Sequence, residues 1–376
     1  MNDWVHRALQ VLEGEKRLRH LRAVIPVDAV TVQFEGRHIR LFSSNDYLGL
    51  SMHPRIREAV ARVSLERGMG TRGSALICGY TDLHEELEMR LARLKGTEST
   101  LIFPTGYAAN TGLIGALGSP ETAIFSDALN HASIIDGCRL ARCPVHVYRH
   151  LDMDHLATLL RDSSAARKVI ISDALFSMDG ETAPLATLVE LKRRYGATLL
   201  VDEAHSTLVY GPSGEGLVAS LGLSEHVDFQ VGTLSKALGV QGGFVAMSRS
   251  HRSWLLNTAR SYVFSTALPA PMLAAAIEAL DIVRDEPQLV RRLWDRVAQL
   301  SEGLSRPVVS PIVPFVVGDE HTALALSARL LQAGFHVPAI RPPTVPVGTC
   351  RLRITCSAAH REEDVAELIN CLETGS

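Results

Sequence analysis

Two apolar runs that each lead to a chemically active side chain constrain this sequence more than any other feature. Residues 198–201 are followed by Asp202 and His205, and residues 227–231 are followed by a short turn that ends in Lys236. Short β-branched runs bounded by turn residues are typical of buried strands in an α/β sheet, and ligands bind at the carboxyl ends of such strands. We therefore predict that a carboxylate, an imidazole and an amine meet at one edge of a sheet.

This set of groups suits an aldehyde cofactor. A lysine at the end of a buried strand is partly desolvated, which favours the neutral amine that can form a Schiff base. Pyridoxal 5′-phosphate (PLP) requires such a lysine and an acid against its pyridine nitrogen. The alternative is that Asp202 caps a turn and Lys236 is a solvated surface amine. We favour PLP because the two residues follow separate apolar strands, with hydroxyl groups at Thr233 and Ser235 beside the lysine.

The composition excludes several other classes of protein. The 376 residues carry a net charge of −3, so bulk electrostatics indicate neither a nucleic-acid partner nor an anionic membrane. No apolar run reaches transmembrane length, and the first twenty residues lack the apolar core of a signal peptide, so we expect a cytoplasmic protein with no membrane partner. The six cysteines form no CxxC pair and no HExxH motif occurs, so no metal site is predicted.

The alternation of strand and helix patterns along the chain predicts the fold class. Strand-like runs alternate with helical patterns from residue 99 onward, which indicates an α/β fold with a mostly parallel, seven-stranded sheet sandwiched by helices. After Pro269 the pattern changes to long helices followed by interleaved strands and helices, which predicts a smaller α+β domain. The predicted strands of the large sheet are 99–104, 122–126, 145–149, 168–172, 198–202, 227–232 and 243–247.

These patterns divide the chain into three parts. Residues 1–44 are predicted to form an N-terminal segment, with an amphipathic helix over 2–22 and a hairpin over 30–42. Residues 45–269 form the predicted large PLP-binding α/β domain. Residues 270–376 form the predicted C-terminal α+β domain.

Further candidate side chains follow other predicted strands of the large domain. Gly106 and Tyr107 lie between a strand and a helix, where exposed amides bind phosphate, although Tyr107 could instead belong to the core. His131 follows a strand and could stack on a planar ring or be an ordinary loop residue. The hydroxyl groups of Ser265 and Thr266 could contact phosphate or cap a helix.

Eight motifs together resemble one known family. FSSNDYLGL, the glycine loop ending in CGY, LHEELE, FPTGYAAN, NHASIIDG, FSMDGETAPL, VDEAHS and GTLSKALGVQGGF match the α-oxoamine synthases in order and spacing over nearly the whole chain. The resemblance implies the fold of fold-type I PLP-dependent transferases and a homodimer. Two positions depart from the family pattern: Arg72 stands where many members carry a small residue, and Tyr107 replaces a common phenylalanine.

The resemblance also implies the roles of the catalytic residues. Lys236 would form the Schiff base, Asp202 would pair with the pyridinium nitrogen, and His131 would stack on the ring. Ser177 and His205 would bind the phenolic oxygen. The catalytic set implied by the family is therefore Lys236, His131, Asp202 and His205.

The remaining roles concern cofactor and substrate binding. The family pattern assigns cofactor binding to Gly106, Tyr107 and Thr233, with Ser265 and Thr266 reaching the cofactor from a second subunit. It assigns the amino acid carboxylate to Arg353, with Asn45, Thr355 and Arg22 as further substrate-binding residues. A simpler role for Arg22 is a favourable charge at a helix C-terminus.

The segment 339–355 looks most like that of the biotin-pathway members of the family. Those members condense L-alanine with a pimeloyl thioester, either pimeloyl-CoA or pimeloyl-acyl carrier protein, and release CO2 and the thiol. Alternatives within the family are glycine C-acetyltransferase, 5-aminolevulinate synthase and serine palmitoyltransferase. More distant alternatives are a PLP aminotransferase and a catalytically silent partner subunit, although such a subunit would be expected to lack Lys236.

Overall fold

A seven-stranded sheet forms the centre of the computed structural model, which describes residues 3–15 and 17–373. The strand order is β4-β10-β9-β8-β7-β5-β6, in which β10 runs antiparallel to both of its neighbours and the other pairs are parallel. The sheet confirms the predicted α/β fold class and its mostly parallel topology. The strands are β1 Ile25–Pro26, β2 Thr31–Phe34, β3 Arg37–Leu41, β4 Ser99–Phe103, β5 Thr122–Asp127, β6 Val145–Tyr148, β7 Arg167–Asp173, β8 Thr198–Asp202, β9 Phe229–Thr233, β10 Gly243–Met247, β11 Ile312–Gly318, β12 Phe335–His336, β13 Ala339–Ile340 and β14 Cys350–Thr355.

Helices cover both faces of this sheet because the strands are continuous apolar runs, whose consecutive side chains point to opposite faces. On β10, Phe244 packs into one buried cluster, whereas Val245 packs into a second cluster on the opposite face. The helices are α1 Asp3–Gly14, α2 Pro54–Arg67, α3 Asp82–Lys95, α4 Gly106–Leu117, α5 Ala132–Ala141, α6 Met153–Asp162, α7 Leu185–Tyr195, α8 Leu217–Ser220, α9 Arg249–Thr258, α10 Arg260–Val263, α11 Ala270–Asp285, α12 Gln288–Gly303, α13 Glu320–Gln332 and α14 Glu362–Glu373. Among the helices of the described residues, none combines the length and apolar character needed to span a bilayer.

The first helix is shorter than the sequence pattern predicted. We expected a helix over 2–22, but α1 ends at Gly14 and residues 17–24 are not helical. The longer prediction was wrong because a helix of this length needs packing of its apolar face, and α1 has no buried residue. Leu21, which was expected on that face, is fully exposed. Arg22 therefore does not lie at a helix C-terminus, and residues 2 and 16 of the predicted helix lie outside the described residues.

The N-terminal hairpin joins the C-terminal part of the chain. Strands β2 and β3 pair as predicted, with Val32 opposite Ile39. Strand β3 then pairs in parallel with β12, while β11, β14 and β13 form a separate three-stranded sheet. The division of the chain at residues 44 and 269 stays a prediction.

A fully buried ion pair connects helix α3 to the turn that follows β8. The Lys95 ammonium group contacts the Glu203 carboxylate, and both side chains have no exposed surface. Lys95 also donates a hydrogen bond to the Glu215 carbonyl oxygen at 2.6 Å. Glu203 Oε1 accepts hydrogen bonds from the Ser206 hydroxyl group and the Val218 amide, both at 2.9 Å. The charges are therefore paired and also hydrogen-bonded within the protein.

We predict that Glu203→Gln lowers the free energy of unfolding by about 3–5 kcal/mol, because it leaves the Lys95 charge buried without its partner. Urea unfolding of the apoprotein measures the change. The control is Asp162→Asn, which breaks an exposed ion pair with Arg161 and should change the free energy of unfolding far less than Glu203→Gln does. Equal effects of the two substitutions would contradict the assignment of Lys95 and Glu203 as a stabilising pair.

Candidate active site

A cavity of about 250 Å³ opens at the carboxyl ends of the parallel strands. Asp202 ends β8, Thr233 ends β9 and Asp173 ends β7, and Asp173 lies directly beside Asp202 in the strand register. The predicted meeting of a carboxylate, an imidazole and an amine at one edge of the sheet is therefore present. Eight predicted site residues line the cavity together: Gly106, Tyr107, His131, Ser177, Asp202, His205, Thr233 and Lys236.

The amine at the cavity, Lys236, has a lowered pKa that suits a nucleophile. Burial lowers the pKa of Lys236 from 10.5 to about 8, although Asp202 and Asp173 act in the opposite direction. Near neutral pH a useful fraction of the amine is therefore uncharged. An uncharged amine is the form that attacks an aldehyde.

The carboxylate of Asp202 is fixed by two hydrogen bonds. Its Oδ1 accepts from the Ala204 amide at 2.8 Å, and its Oδ2 accepts from Asn110 Nδ2 at 2.6 Å. Asn110 also donates to the Ser133 hydroxyl group at 2.9 Å, while its own side-chain oxygen is buried without a partner. These contacts fix the carboxyl group at the wall of the cavity, where it can meet a protonated ring nitrogen.

His131 lies at the start of helix α5 with a defined ring orientation. Its Nδ1 accepts a hydrogen bond from the Ser133 amide at 3.2 Å, so the proton of the neutral ring is on Nε2. Burial lowers the pKa of His131, with Lys236 acting in the same direction and Asp202 opposing. The ring is therefore neutral and can present a flat face to a planar ligand.

Asp173 is a cavity residue that the sequence interpretation missed. Its Oδ2 accepts a hydrogen bond from the His131 amide at 2.9 Å, and its own amide donates to Asn130 Oδ1 at 2.9 Å. Burial, together with the neighbouring Asp202, raises the pKa of Asp173 well above its usual value. The signal was present in the sequence, because Asp173 ends an apolar run in the same way as Asp202.

A second group of residues approaches the cavity from the C-terminal strand β14 and from the segment after the N-terminal hairpin. Arg353 Nε donates to the Ser177 carbonyl oxygen at 2.5 Å, and its terminal nitrogen donates to Asn45 Oδ1 at 3.2 Å. Arg353 also lies close enough to Lys236 to contribute to lowering the lysine pKa. The predicted pair of Asn45 and Arg353 is therefore in contact, beside Ser177.

Tyr47 belongs to the same group and was also missed. Its hydroxyl group lies 2.7 Å from His205 Nδ1, and burial raises the pKa of Tyr47 to about 12. Burial also lowers the pKa of His205 well below its usual value, so the imidazole is neutral. The phenol therefore stays protonated and fixes the ring orientation of His205. No signal in the sequence placed Tyr47, because its contact lies 158 residues away in the chain.

The start of helix α4 forms a part of the cavity lining that is suited to an anion. Thr105 caps the helix by accepting a hydrogen bond from the Ala108 amide at 3.0 Å, and the first helical residues, Gly106 and Tyr107, line the cavity. A Cβ atom at Gly106 would approach the Thr233 side chain to 3.1 Å, so a larger residue would crowd this end of the cavity. Unpaired amides at a helix N-terminus favour an anion.

Besides Asn45 and Arg353, four predicted site residues lie outside the cavity lining of this chain. Thr266 pairs with Ser74 in an isolated β-bridge, and Ser265 precedes it. The Arg22 guanidinium group lies 5.9 Å from the centre of the Phe34 ring. Thr355 is buried on β14, two residues beyond Arg353, and its hydroxyl group has no hydrogen-bond partner. The binding roles of these four residues stay predictions.

The residues of the cavity fit PLP by their chemistry. Lys236 supplies the amine, Asp202 the acid, neutral His131 a flat ring, and the start of α4 an anion site in the same lining. Among the described residues, no group of three or more His, Cys, Asp or Glu side chains is arranged to hold a metal ion.

Comparisons with known proteins agree with this chemistry. The family model "aminotransferase class I and II" matches residues 37–372. The 8-amino-7-oxononanoate synthase of Arabidopsis thaliana is 48% identical over 92% of this chain and 77% of that protein. The enzyme of the same name from Anaeromyxobacter dehalogenans is 47% identical over 95% of this chain and 92% of that protein.

The fold of this chain is also similar to that of a solved structure. A variant of serine palmitoyltransferase from S. paucimobilis, with a bound PLP-myriocin aldimine, superposes with a TM-score of 0.92 at 28% identity and covers 99% of this chain and 96% of that one. The match of the family model over most of the chain and the identity to the relatives establish the assignment: the chain belongs to the aminotransferase class I and II family.

Proposed function

We propose that this protein is a PLP-dependent 8-amino-7-oxononanoate synthase of biotin biosynthesis. The reaction is the condensation of L-alanine with a pimeloyl thioester, which yields 8-amino-7-oxononanoate, CO2 and the free thiol. The observation that carries the proposal is the cavity that Lys236 and Asp202 line together, with Arg353 close enough to act on the lysine pKa. The 47–48% identity to two enzymes of that name supports the choice of substrates.

Bound PLP supplies an electron-accepting ring that makes the α-proton of the amino acid acidic. Lys236 holds the cofactor through its Nζ and, once that nitrogen is free, takes the α-proton as general base. The lowered pKa of Lys236, about 8, suits both roles because a proton can be taken up and returned near neutral pH.

The other cavity residues hold the cofactor in its reactive state. Asp202 keeps the ring nitrogen protonated, because Asn110 and the Ala204 amide fix its carboxylate in position. His131 stacks on the ring as a neutral imidazole. Ser177 and His205 bind the phenolic oxygen, while Gly106, Tyr107 and Thr233 hold the phosphate end.

Arg353 provides the site for the amino acid carboxylate. Its Nε and one terminal nitrogen are engaged by Ser177 and Asn45, which leaves further N–H groups of the guanidinium for a bound carboxylate. Thr355 lies on the same face of β14, and Arg22 follows the first helix; we propose both as further substrate contacts.

The related enzymes are weaker candidates. The serine palmitoyltransferase structure is 28% identical, which is well below the 47–48% of the two synthases. The presence of Lys236, Asp202 and His205 in one cavity argues against a silent partner subunit.

We also propose an obligate homodimer with active sites at the subunit interface. The bridge between Ser74 and Thr266 joins the glycine-rich loop, residues 68–80, to the segment that carries Ser265. Both segments present exposed apolar side chains, with Ile77 81% and Phe264 71% exposed. Apolar groups clustered in this way are typical of an interaction site. A second subunit there would let Ser265 and Thr266 reach the cofactor of the first.

We propose a cytoplasmic location as well. All six cysteines are free, and Cys138, Cys350 and Cys356 are buried. Free thiols throughout a chain are typical of a reducing compartment.

The substrates can be tested with a panel of amino acids and thioesters. Alanine, glycine and serine are each combined with pimeloyl, acetyl, succinyl and palmitoyl thioesters, and kcat/KM is measured for each pair. We expect alanine with a pimeloyl thioester to give the highest value. A higher value for glycine with acetyl-CoA would move the assignment to an acetyltransferase.

Lys236→Ala tests the role of the amine in holding PLP and moving the proton. We expect kcat to fall by about 10²–10⁴-fold or more, because a positioned general base is lost. Treatment with borohydride followed by mass spectrometry should add the mass of the reduced cofactor to the unmodified enzyme but not to the variant. Attachment of the cofactor to the variant protein would show that another residue forms the Schiff base.

The homodimer can be tested with Ile77→Asp. We expect the variant to weaken subunit association by about 2 kcal/mol, because a charge replaces an apolar side chain at the centre of the proposed interface. Sedimentation velocity at several concentrations measures the change. Leu221→Asp, at an exposed leucine outside this surface, is the control. An unmodified protein that is fully active as a monomer would contradict the proposal.

A further inference from the structure

A cleft of about 430 Å³ lies between the end of helix α1 and the segment that leaves strand β13. Its walls combine apolar side chains with guanidinium groups. Leu12, Leu18 and Ile340 supply much of the apolar surface. The three arginines, which together define the arginine cleft, are Arg17, Arg19 and Arg341.

The arginine cleft is positively charged although the whole chain carries a net charge of −3. Arg17 pairs with Glu15 at 2.9 Å and Arg341 pairs with Glu320, both in ion pairs that are partly exposed. Arg19 makes no ion pair within residues 3–15 and 17–373. An unpaired guanidinium beside two others in a concave surface is a binding place for a multivalent anion.

The arginine cleft is connected to the active site through strand pairing. The Arg353 amide donates to the Pro338 carbonyl oxygen at 3.0 Å, and Ile340 lies opposite Arg351. Pro338 is therefore the neighbour of Arg353 on the adjacent segment, and Arg341 follows Pro338 by three residues. Three residues of extended strand span about 10 Å. A ligand that reaches both places needs an extended, partly apolar chain with an anionic end.

The cavity at Lys236 is too small to hold both PLP and the carrier of an acyl thioester, since its volume is about 250 Å³. The carrier end of the donor must therefore lie outside the cavity. A pantetheine arm has two amide units and a terminal sulfur, and its far end carries a phosphate in both CoA and acyl carrier protein. Its apolar and anionic parts match the two kinds of side chain in the cleft.

We propose that the arginine cleft binds the 4′-phosphate of a phosphopantetheine thioester through Arg19 and Arg341, so that the arm runs from there toward Arg353. The proposal rests on the proposed function, because that reaction requires a thioester donor. It assigns a binding role to two arginines that lie outside the PLP cavity and outside the set of substrate residues implied by the family resemblance.

The test compares two donors that differ only in the phosphate, pimeloyl-4′-phosphopantetheine and pimeloyl-pantetheine. For the unmodified enzyme we expect a lower KM with the phosphorylated donor. The double variant Arg19→Ala/Arg341→Ala should raise the KM of that donor by about tenfold for each contact removed and abolish the preference. The control Arg62→Ala removes an exposed arginine on helix α2 and should leave the ratio of the two KM values unchanged.

Two further measurements separate this inference from the proposed function. Calorimetric binding of 4′-phosphopantetheine to the unmodified holoenzyme and to the double variant tests the cleft without turnover, and thermal unfolding checks that the variant is folded. If neither donor is converted with alanine, the proposed function fails, while the calorimetry still decides about the cleft. Equal binding to a folded double variant, or an equal rise of both KM values, would overturn the inference.

The same variant distinguishes the two natural sources of the phosphate. KM is measured with pimeloyl-CoA and with pimeloyl-acyl carrier protein, and the donor with the lower KM for the unmodified enzyme is the better carrier. We expect the KM of that donor to rise in the double variant. An unchanged KM for both carriers would also overturn the inference.

Discussion

The geometry of the active site depends on the buried ion pair between Lys95 and Glu203. Glu203 lies directly between Asp202 and Ala204 in the chain, and its carboxylate also accepts hydrogen bonds from Ser206 and Val218. These contacts fix the turn after β8, because a buried carboxylate must keep all of its partners to offset the loss of hydration. Asp202 precedes this fixed residue directly and His205 follows it by two positions, and both line the cavity.

Burial then gives the cavity residues the protonation states that PLP chemistry needs. The pKa of Lys236 falls to about 8, and the pKa values of His131 and His205 are lowered, so amine and imidazoles are available in neutral form. Asp173 has a raised pKa because it is buried beside Asp202. All of these shifts have one physical cause, the removal of water at the edge of a parallel sheet. Burial disfavours the charged form of each group, so it raises the pKa of a carboxyl group and lowers the pKa of an amine or an imidazole.

The side of the cavity at which we propose that the amino acid binds is built by parts of the chain that are far apart in sequence. Strand β14 brings Arg353 to Ser177, and the segment after the N-terminal hairpin brings Asn45 and Tyr47. The parallel pairing of β3 with β12 connects that hairpin to the C-terminal strands. Strands β14 and β13 lead from Arg353 to the arginine cleft, so that the proposed donor site and the proposed amino acid site share one sheet.

The sequence by itself determined the α/β class, most strand positions and the convergence of Asp202, His205 and Lys236, because these follow from local patterns and from the topology of parallel strands. It did not determine the end of α1, where the absence of packing outweighs an amphipathic pattern, nor the contact between Tyr47 and His205. Only the tertiary structure decided those contacts and the arginine cleft, because they join segments that no local periodicity relates. It also decided the pKa shifts of His131, His205 and Asp173, since burial is a property of the folded chain, whereas the lowered pKa of Lys236 was expected from its place after a buried strand.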